Sequence, residues 1–217
     1  MIINLILIME SYKTVLKEAS DSFIEKKSKF IGHCKPISSE EEALSFIKEK
    51  KSKYWDATHN VYAYILRENG IMRYSDDGEP QGTAGVPVLE AMRKSGITDA
   101  VVVVTRYFGG TLLGAGGLVR AYSHGSAIAV AAAEPVTMTY CVEYKVRIDY
   151  SYFTKAQTLV TDIGGVITGI EYDDCVNIAF YIQPDKFETL SVNFADLTSG
   201  KAIFEKIKDG YYGISEK

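Results

Sequence analysis

Hydrophobic and polar positions along this chain fall into blocks whose period alternates between that of a strand and that of a helix. Residues 12–17 and 21–36 read as strands, and the alternation from Ser22 to Ile31 is only partial, so the ends of the second are soft. Ser39-x-x-Glu42 is a capping box, and it opens a helix with Ala43, Phe46, Ile47 and Tyr54 near one face. Residues 61–66 form a strand, Asn69-Gly70 signals a hairpin turn, and 71–74 pair back. A short helix is predicted over 87–94, with Pro87 near its first turn and Gly96 past its end. The central strand, 98–106, contains the apolar run Ala100 to Val104, a pattern that predicts burial. A long helix follows over 118–133, and Glu134-Pro135 stops it and marks the best domain boundary.

Beyond that point the chain has an order of its own. Residues 140–148 alternate as a strand through Val142, Tyr144, Val146 and Ile148. Ser151 is placed to cap a helix carrying Phe153, Ala156, Leu159, Val160 and Ile163, closed by Gly164-Gly165. A hairpin over Asp173-Asp174 joins 166–172 to 175–183. Pro184 starts a helix through Phe187, Leu190, Phe194 and Leu197, Gly200 ends it, and 202–212 supply a last strand. The order β-α-β-β-α-β is a ferredoxin-like split βαβ pattern, and the chain as a whole reads as α+β with domains at 9–136 and 137–217.

Charge narrows the function classes. The net charge of −4 comes from the second part: residues 1–136 carry 16 basic and 16 acidic side chains, residues 137–217 carry 8 and 12. Neither part has the strong basic excess of a general nucleic-acid binder, and a local basic face in the first remains open. Cys34, Cys141 and Cys175 are far apart and form no C-x-x-C, which argues for reduced thiols in a cytoplasmic protein. Residues 1–8, MIINLILI, are apolar but too short to span a bilayer and lack a signal-peptide pattern; no membrane association is expected. They read as a mis-assigned start before Met9 or as an extra edge strand.

Two stretches carry the candidate chemistry. The first is Arg106-Tyr107-Phe108-Gly109-Gly110 with Gly114, Gly116 and Gly117, set between the end of the central strand and a helix start. Backbone amides there can approach a ligand closely, and a helix N-terminus favours an anion. Arg106 and Arg120 are the candidate anion partners, and Tyr107 and Phe108 offer stacking faces or packing. The spacing misses the P-loop lysine and the third glycine of the dinucleotide fingerprint. The second stretch runs from Ser75 to Gly85, where Asp76, Asp77 and Glu79 could order turns, contact a ligand or partner, or hold a hard cation. His59 opens the strand beside it. No histidine pair has zinc spacing, no nucleophile elbow occurs, and no catalytic set, resident metal or cofactor is called for.

Three segments together resemble the IMPACT family, bacterial YigZ type: His59-Asn60-x-Tyr62-Ala63-Tyr64, Ser75-Asp76-Asp77-Gly78-Glu79-Pro80-x-Gly82-Thr83-Ala84-Gly85-x-Pro87, and Val103-Val104-Thr105-Arg106-Tyr107-Phe108-Gly109-Gly110-x-x-Leu113-Gly114. The resemblance implies a first domain with the fold of the second domain of small-subunit ribosomal protein five. It also implies a ferredoxin-like second domain, the pair occurring in the same order in the C-terminal part of elongation factor G. Eukaryotic relatives are translational regulators that bind the scaffold activating an initiation-factor kinase. The leading expectation is therefore a non-enzymatic regulator or binding protein linked to translation, meeting RNA or a ribosome-associated partner through the Arg106 glycine loop. One alternative is an enzyme acting on a phosphorylated small molecule, because the glycines before the Ala-rich helix faintly resemble the phosphate loop of GHMP kinases; Asp76, Asp77 and Glu79 would then hold a metal. Another is a protein-binding module using the acidic second domain.

Overall fold

The computed structural model describes residues 11–214. The chain forms two compact units, Tyr12–Thr137, and Ser11 with Met138–Ile214. Both are mixed α+β, built on antiparallel strand pairings. The expected reading of residues 1–8 lies outside the described residues.

In the first unit β1 (Tyr12–Val15), β2 (Ala19–Glu25) and β3 (Ser28–Pro36) precede α1 (Glu40–Lys53). Then come β4 (His59–Leu66), β5 (Ile71–Ser75), α2 (Gly85–Lys94), β6 (Ala100–Tyr107) and α3 (Ala115–Ala132). The sheet order is β2-β3-β6-β4-β5, which puts β6 in the middle. Its apolar run is buried on both faces. Val102 and Val104 join Phe30, Val61 and Ala63 in the core under α2 and α3. Val101 and Val103 pack on the other face with Ala43, Phe46 and Ile47 of α1. Close approach of α3 to the sheet depends on glycine: a Cβ on Gly32 would lie 2.2 Å from the Gly125 carbonyl oxygen.

Several boundaries differ from the sequence reading, each for a local reason. Residues 21–36 are not one extended run but a hairpin turning at Lys26 and Lys27, both in the left-handed region (φ 46° and 69°). Lysine is an unusual residue there, so no turn signal marked it. Asn69-Gly70 does turn a hairpin, pairing Leu66 with Ile71. Helix α2 starts two residues early because Asp76, far upstream, accepts from the amides of Ala84 (3.1 Å) and Gly85 (2.8 Å) with Oδ1. Helix α3 starts three residues early, so Gly116 and Gly117 belong to its first turn rather than to the loop.

The second unit runs β7 (Pro135–Ile148), α4 (Phe153–Asp162), β8 (Val166–Tyr172), β9 (Val176–Ile182), α5 (Pro184–Thr198) and β10 (Ile203–Ile214). Strand β9 pairs with β7 and β8, and β10 pairs with β7. Phe180, Ile178, Val160, Leu190 and Phe194 fill its core. Ser151 does not cap α4; a 3₁₀ turn over Tyr150–Tyr152 intervenes, and the N-cap, Tyr152, makes no side-chain cap. Pro184 occupies the first turn of α5 as expected.

Candidate functional site

The two stretches singled out in the sequence meet at the end of β6. Thr58, His59, Gly78, Glu79 and Pro80 contribute to the lining of a cleft of about 440 Å³. Arg106, Phe108, Leu112, Leu113, Gly114, Ala115 and Leu118 complete it. Strand alternation decides which residues of the Arg106 segment take part. Arg106 follows Val102 and Val104 onto the α2/α3 side, where the cleft lies. Tyr107 points to the α1 side, outside the cleft, and its hydroxyl donates to Asp56 Oδ1 at 2.9 Å. The aromatic on the cleft wall is Phe108, 45% exposed.

Arg106 is not an open cation. It is 5% exposed, and its Nη1 donates to Glu79 Oε1 at 2.6 Å. Tyr122 of α3 donates to the same oxygen at 2.7 Å. His59 brings Nε2 to 3.7 Å from it. The Asp77 carbonyl can only accept, so His59 Nδ1, 2.8 Å away, carries a proton. Burial, and then the Glu79 carboxylate, push the Tyr122 phenol well above its ordinary value, which keeps it a donor. A sequence reading that put Arg106 with ligand phosphates and Glu79 in a separate loop is corrected here. Each is the other's partner, because a buried guanidinium needs a buried carboxylate. Glu79 Oε2 has no hydrogen-bond partner among the described residues, and Arg106 Nε has none either.

The other two acidic residues are also committed. Besides holding α2, Asp76 accepts from the Gly82 amide at 2.9 Å. Asp77 accepts from Lys51 Nζ and from the Asn60 amide, each at 2.6 Å. Asp76, Asp77 and Glu79 therefore do not form a shared cation cage, and no group of three metal-ligating side chains occurs among the described residues.

The glycine segment divides into an internal and an open part. The Phe108 amide donates to Thr58 Oγ1 at 3.0 Å and the Gly109 amide to Ser28 Oγ at 3.2 Å, so both serve the scaffold. Gly109 has to be glycine: an added Cβ would stand 2.0 Å from the backbone carbon of Lys27. Gly110 and Gly114 take positive φ (79° and 74°) and lead the chain into α3. That helix has no side-chain N-cap, and the amides of Ala115, Gly116 and Gly117 find no acceptor among the described residues. Arg120 is exposed and folds back over this turn, its Nη1 3.7 Å from where a Gly116 Cβ would sit. It makes no ion pair among the described residues. Tyr122, Ser28, Thr58 and the leucine wall had not been singled out in the sequence. The one available signal was Tyr122, an aromatic hydroxyl on the apolar face of an alanine-rich helix, a place where a buried donor needs a partner.

A two-unit α+β chain with this cleft at the end of a central strand defines a class, and comparison with known proteins places it. Residues 26–130 match the Impact N-terminal domain, and residues 146–201 match a domain of unknown function (DUF1949). IMPACT family member YvyE of Bacillus subtilis (strain 168) is 38% identical over 216 residues, covering 96% of this chain and 95% of that protein. IMPACT family member YigZ of Escherichia coli (strain K12) is 33% identical over 178 residues, covering 81% and 87%. A Dictyostelium discoideum protein named as an IMPACT homolog is 41% identical over 108 residues, covering 48% of this chain and 30% of its own length. A solved structure described as a hypothetical protein aligns with TM-score 0.57 and 30% identity over 92% of this chain and 98% of that one. The chain belongs to the IMPACT family.

Proposed function

We propose that this protein is a cytoplasmic, non-enzymatic binding protein linked to translation, contacting RNA or a ribosome-associated partner through its first unit. The observation that carries the reading is the open end of α3: the exposed Phe108 ring and the uncapped Ala115 line one cleft, and the uncapped amides of Gly116 and Gly117 continue the same helix turn, over which Arg120 folds with no ion pair among the described residues. Amides at a helix N-terminus with a guanidinium suit a phosphate, and a ring beside them suits a base. The working parts are thus Arg120, Phe108, Gly110, Gly114, Gly116 and Gly117, with Arg106, Glu79, His59 and Asp77 as the frame that holds the cleft open.

Fold likeness points the same way. The order β8-β9-β7-β10, with α4 and α5 as crossovers, supports a ferredoxin-like second domain. We read the first unit as the fold of the second domain of small-subunit ribosomal protein five, with domains at 9–136 and 137–217. As fold-level analogy this supports a link to translation without defining a ligand. Among the described residues no helix is long and apolar enough to cross a membrane.

The test is salt-dependent RNA binding by the full chain. Arg120→Ala and Phe108→Ala each weaken binding about tenfold, in line with one phosphate contact or one stacked base. Undiminished binding by both variants, or no RNA binding at all, rejects the reading.

A second reading keeps the same cleft for a phosphorylated small molecule and an enzyme of the GHMP-kinase-like superfold. It is favoured by the volume of about 440 Å³ beside the α3 N-terminus. Its proposed metal ligands are committed elsewhere, so it rests on phosphate contacts alone. Thermal stabilisation by ATP or GTP would support it, and a flat melting temperature would count against it.

A further inference from the structure

Just outside the cleft, three loops converge. The β2–β3 turn lies against the end of β6, since the Gly109 backbone abuts that of Lys27 and Lys29 pairs with Tyr107 across the strands. The loop after α1 lies on its other side, through the Tyr107 hydroxyl on Asp56 and the Thr58 hydroxyl on the Phe108 amide. These contacts bring the chain at Trp55 up to Tyr107, one residue before Phe108. Trp55 and Leu112 are each 82% exposed. Trp55 makes no ring stacking or cation contact among the described residues, and it is the sole tryptophan of the chain. An isolated exposed aliphatic side chain is ordinary, but a wholly uncovered indole is a large amphipathic face of the kind used in contact surfaces.

The charges around it are of one dominant sign. Lys26, Lys27 and Lys29 crowd the hairpin tip, and Lys53 flanks Trp55; all four are exposed and free of ion pairs among the described residues. Of the nearby acids, Asp56 is held by Tyr107, and Glu25, exposed at the base of the turn beside Lys26, leaves the lysines in excess. Lysines interleaved with exposed aromatic faces fit a chain that alternates phosphates and bases. Double-stranded RNA fits less well, because its bases are stacked away and cannot cover an indole.

We propose that this tip is a track for single-stranded RNA, with a base stacked on Trp55, the backbone crossing the hairpin lysines, and the strand continuing past Phe108 towards the α3 N-terminus. The proposal rests on the RNA reading above and specifies its ligand. Trp55 makes the experiment direct, because its fluorescence reports its own contact. Full-length protein is titrated with an oligouridylate of about eight nucleotides, within the usual site size of such surfaces. We expect saturable quenching whose affinity falls roughly 50-fold between 50 and 200 mM salt, as about four phosphate contacts on a single strand require. Trp55→Ala weakens binding of labelled oligonucleotide about tenfold, read by anisotropy, and Trp55→Phe largely restores it.

Controls separate the sources of binding. A blunt RNA duplex and heparin, a polyanion without bases, are expected to leave Trp55 emission nearly unchanged. Equal quenching by heparin would mean that the tip reads charge alone and overturns the proposal. Binding of the oligonucleotide with constant emission and an unaffected Trp55→Ala variant would overturn the track while leaving an RNA function intact. Absence of any RNA binding would remove both.

Discussion

Arg106 and Glu79, with 26 residues between them in sequence, close on each other through a 2.6 Å bond from Nη1 to Oε1, with both side chains almost wholly buried. The pair fastens the loop before α2 to the central strand, and Tyr122 ties α3 to the same oxygen. Removing one partner strands a buried charge. Glu79→Gln and Arg106→Gln should each destabilise the first unit by about 3–5 kcal/mol in chemical denaturation. Replacing both with apolar residues of similar volume, Glu79→Leu with Arg106→Met, should cost clearly less than the sum of the singles. Additive losses would show that the two charges are not coupled.

His33 gives a pH signature. It is buried on β3, stacked on Tyr54, with Nδ1 2.8 Å from Ser20 Oγ and Nε2 without a partner. Burial, and then the Lys50 and Lys53 charges, depress it to about 4, while Glu18 and Glu49 pull weakly the other way. The folded protein thus holds a neutral ring that the unfolded chain protonates near its ordinary 6.5. Stability from this group is fully present above about pH 6.5 and is lost as pH falls towards 4, by up to roughly 3 kcal/mol. Denaturation midpoints across that window should fall for the wild type, and His33→Leu should flatten the slope. An unchanged slope in His33→Leu would assign the acid sensitivity to other groups.

Asp76 acts as a remote cap. Its carboxylate takes the Ala84 and Gly85 amides at the head of α2 and the Gly82 amide of the loop. Asp76→Ala leaves these donors without their acceptor and should lower stability by about 2 kcal/mol, with Asp76→Asn recovering part of it. Thermal melts of the three proteins decide this; equal melting temperatures would show that water replaces the carboxylate at no loss.

Gly109 tests the internal half of the glycine segment. A methyl group there collides with the Lys27 backbone, which no side-chain rotation can relieve. Gly109→Ala should destabilise the first unit by about 2–4 kcal/mol. Gly110→Ala should cost about 1 kcal/mol from its left-handed φ alone, because nothing lies within 4 Å of its would-be Cβ. Equal effects at the two positions would contradict the division into scaffold and opening.

Much of this architecture was legible in the chain because period and punctuation agree. The apolar run of β6, the Ser39 cap of α1, Asn69-Gly70 and Pro184 each state a local preference that the fold keeps. The β2–β3 turn was hidden because Lys26 and Lys27 adopt a conformation that sequence statistics assign to glycine or asparagine. The two candidate stretches were recognisable, but their internal accounting was not. Glu79, Arg106 and Tyr122 are brought together by long-range packing, and residue type alone cannot tell a guanidinium that waits for phosphate from one that neutralises a carboxylate. Strand alternation, available from the sequence once β6 was placed, already separates Arg106 from Tyr107 and points to Phe108 as the neighbour of the cleft.

In the function proposed above, the open end of α3 is the surface that meets ligand. Amide ¹H–¹⁵N shifts of the full-length protein, followed as a uridine oligonucleotide is added, address this directly. The expected result is that the largest changes fall on Gly110, Gly114, Gly116 and Gly117 and on the Arg120 side chain, with Gly32 and Gly125 in the packed interior unmoved. Changes confined to Met138–Ile214, or none at saturating oligonucleotide, would contradict it.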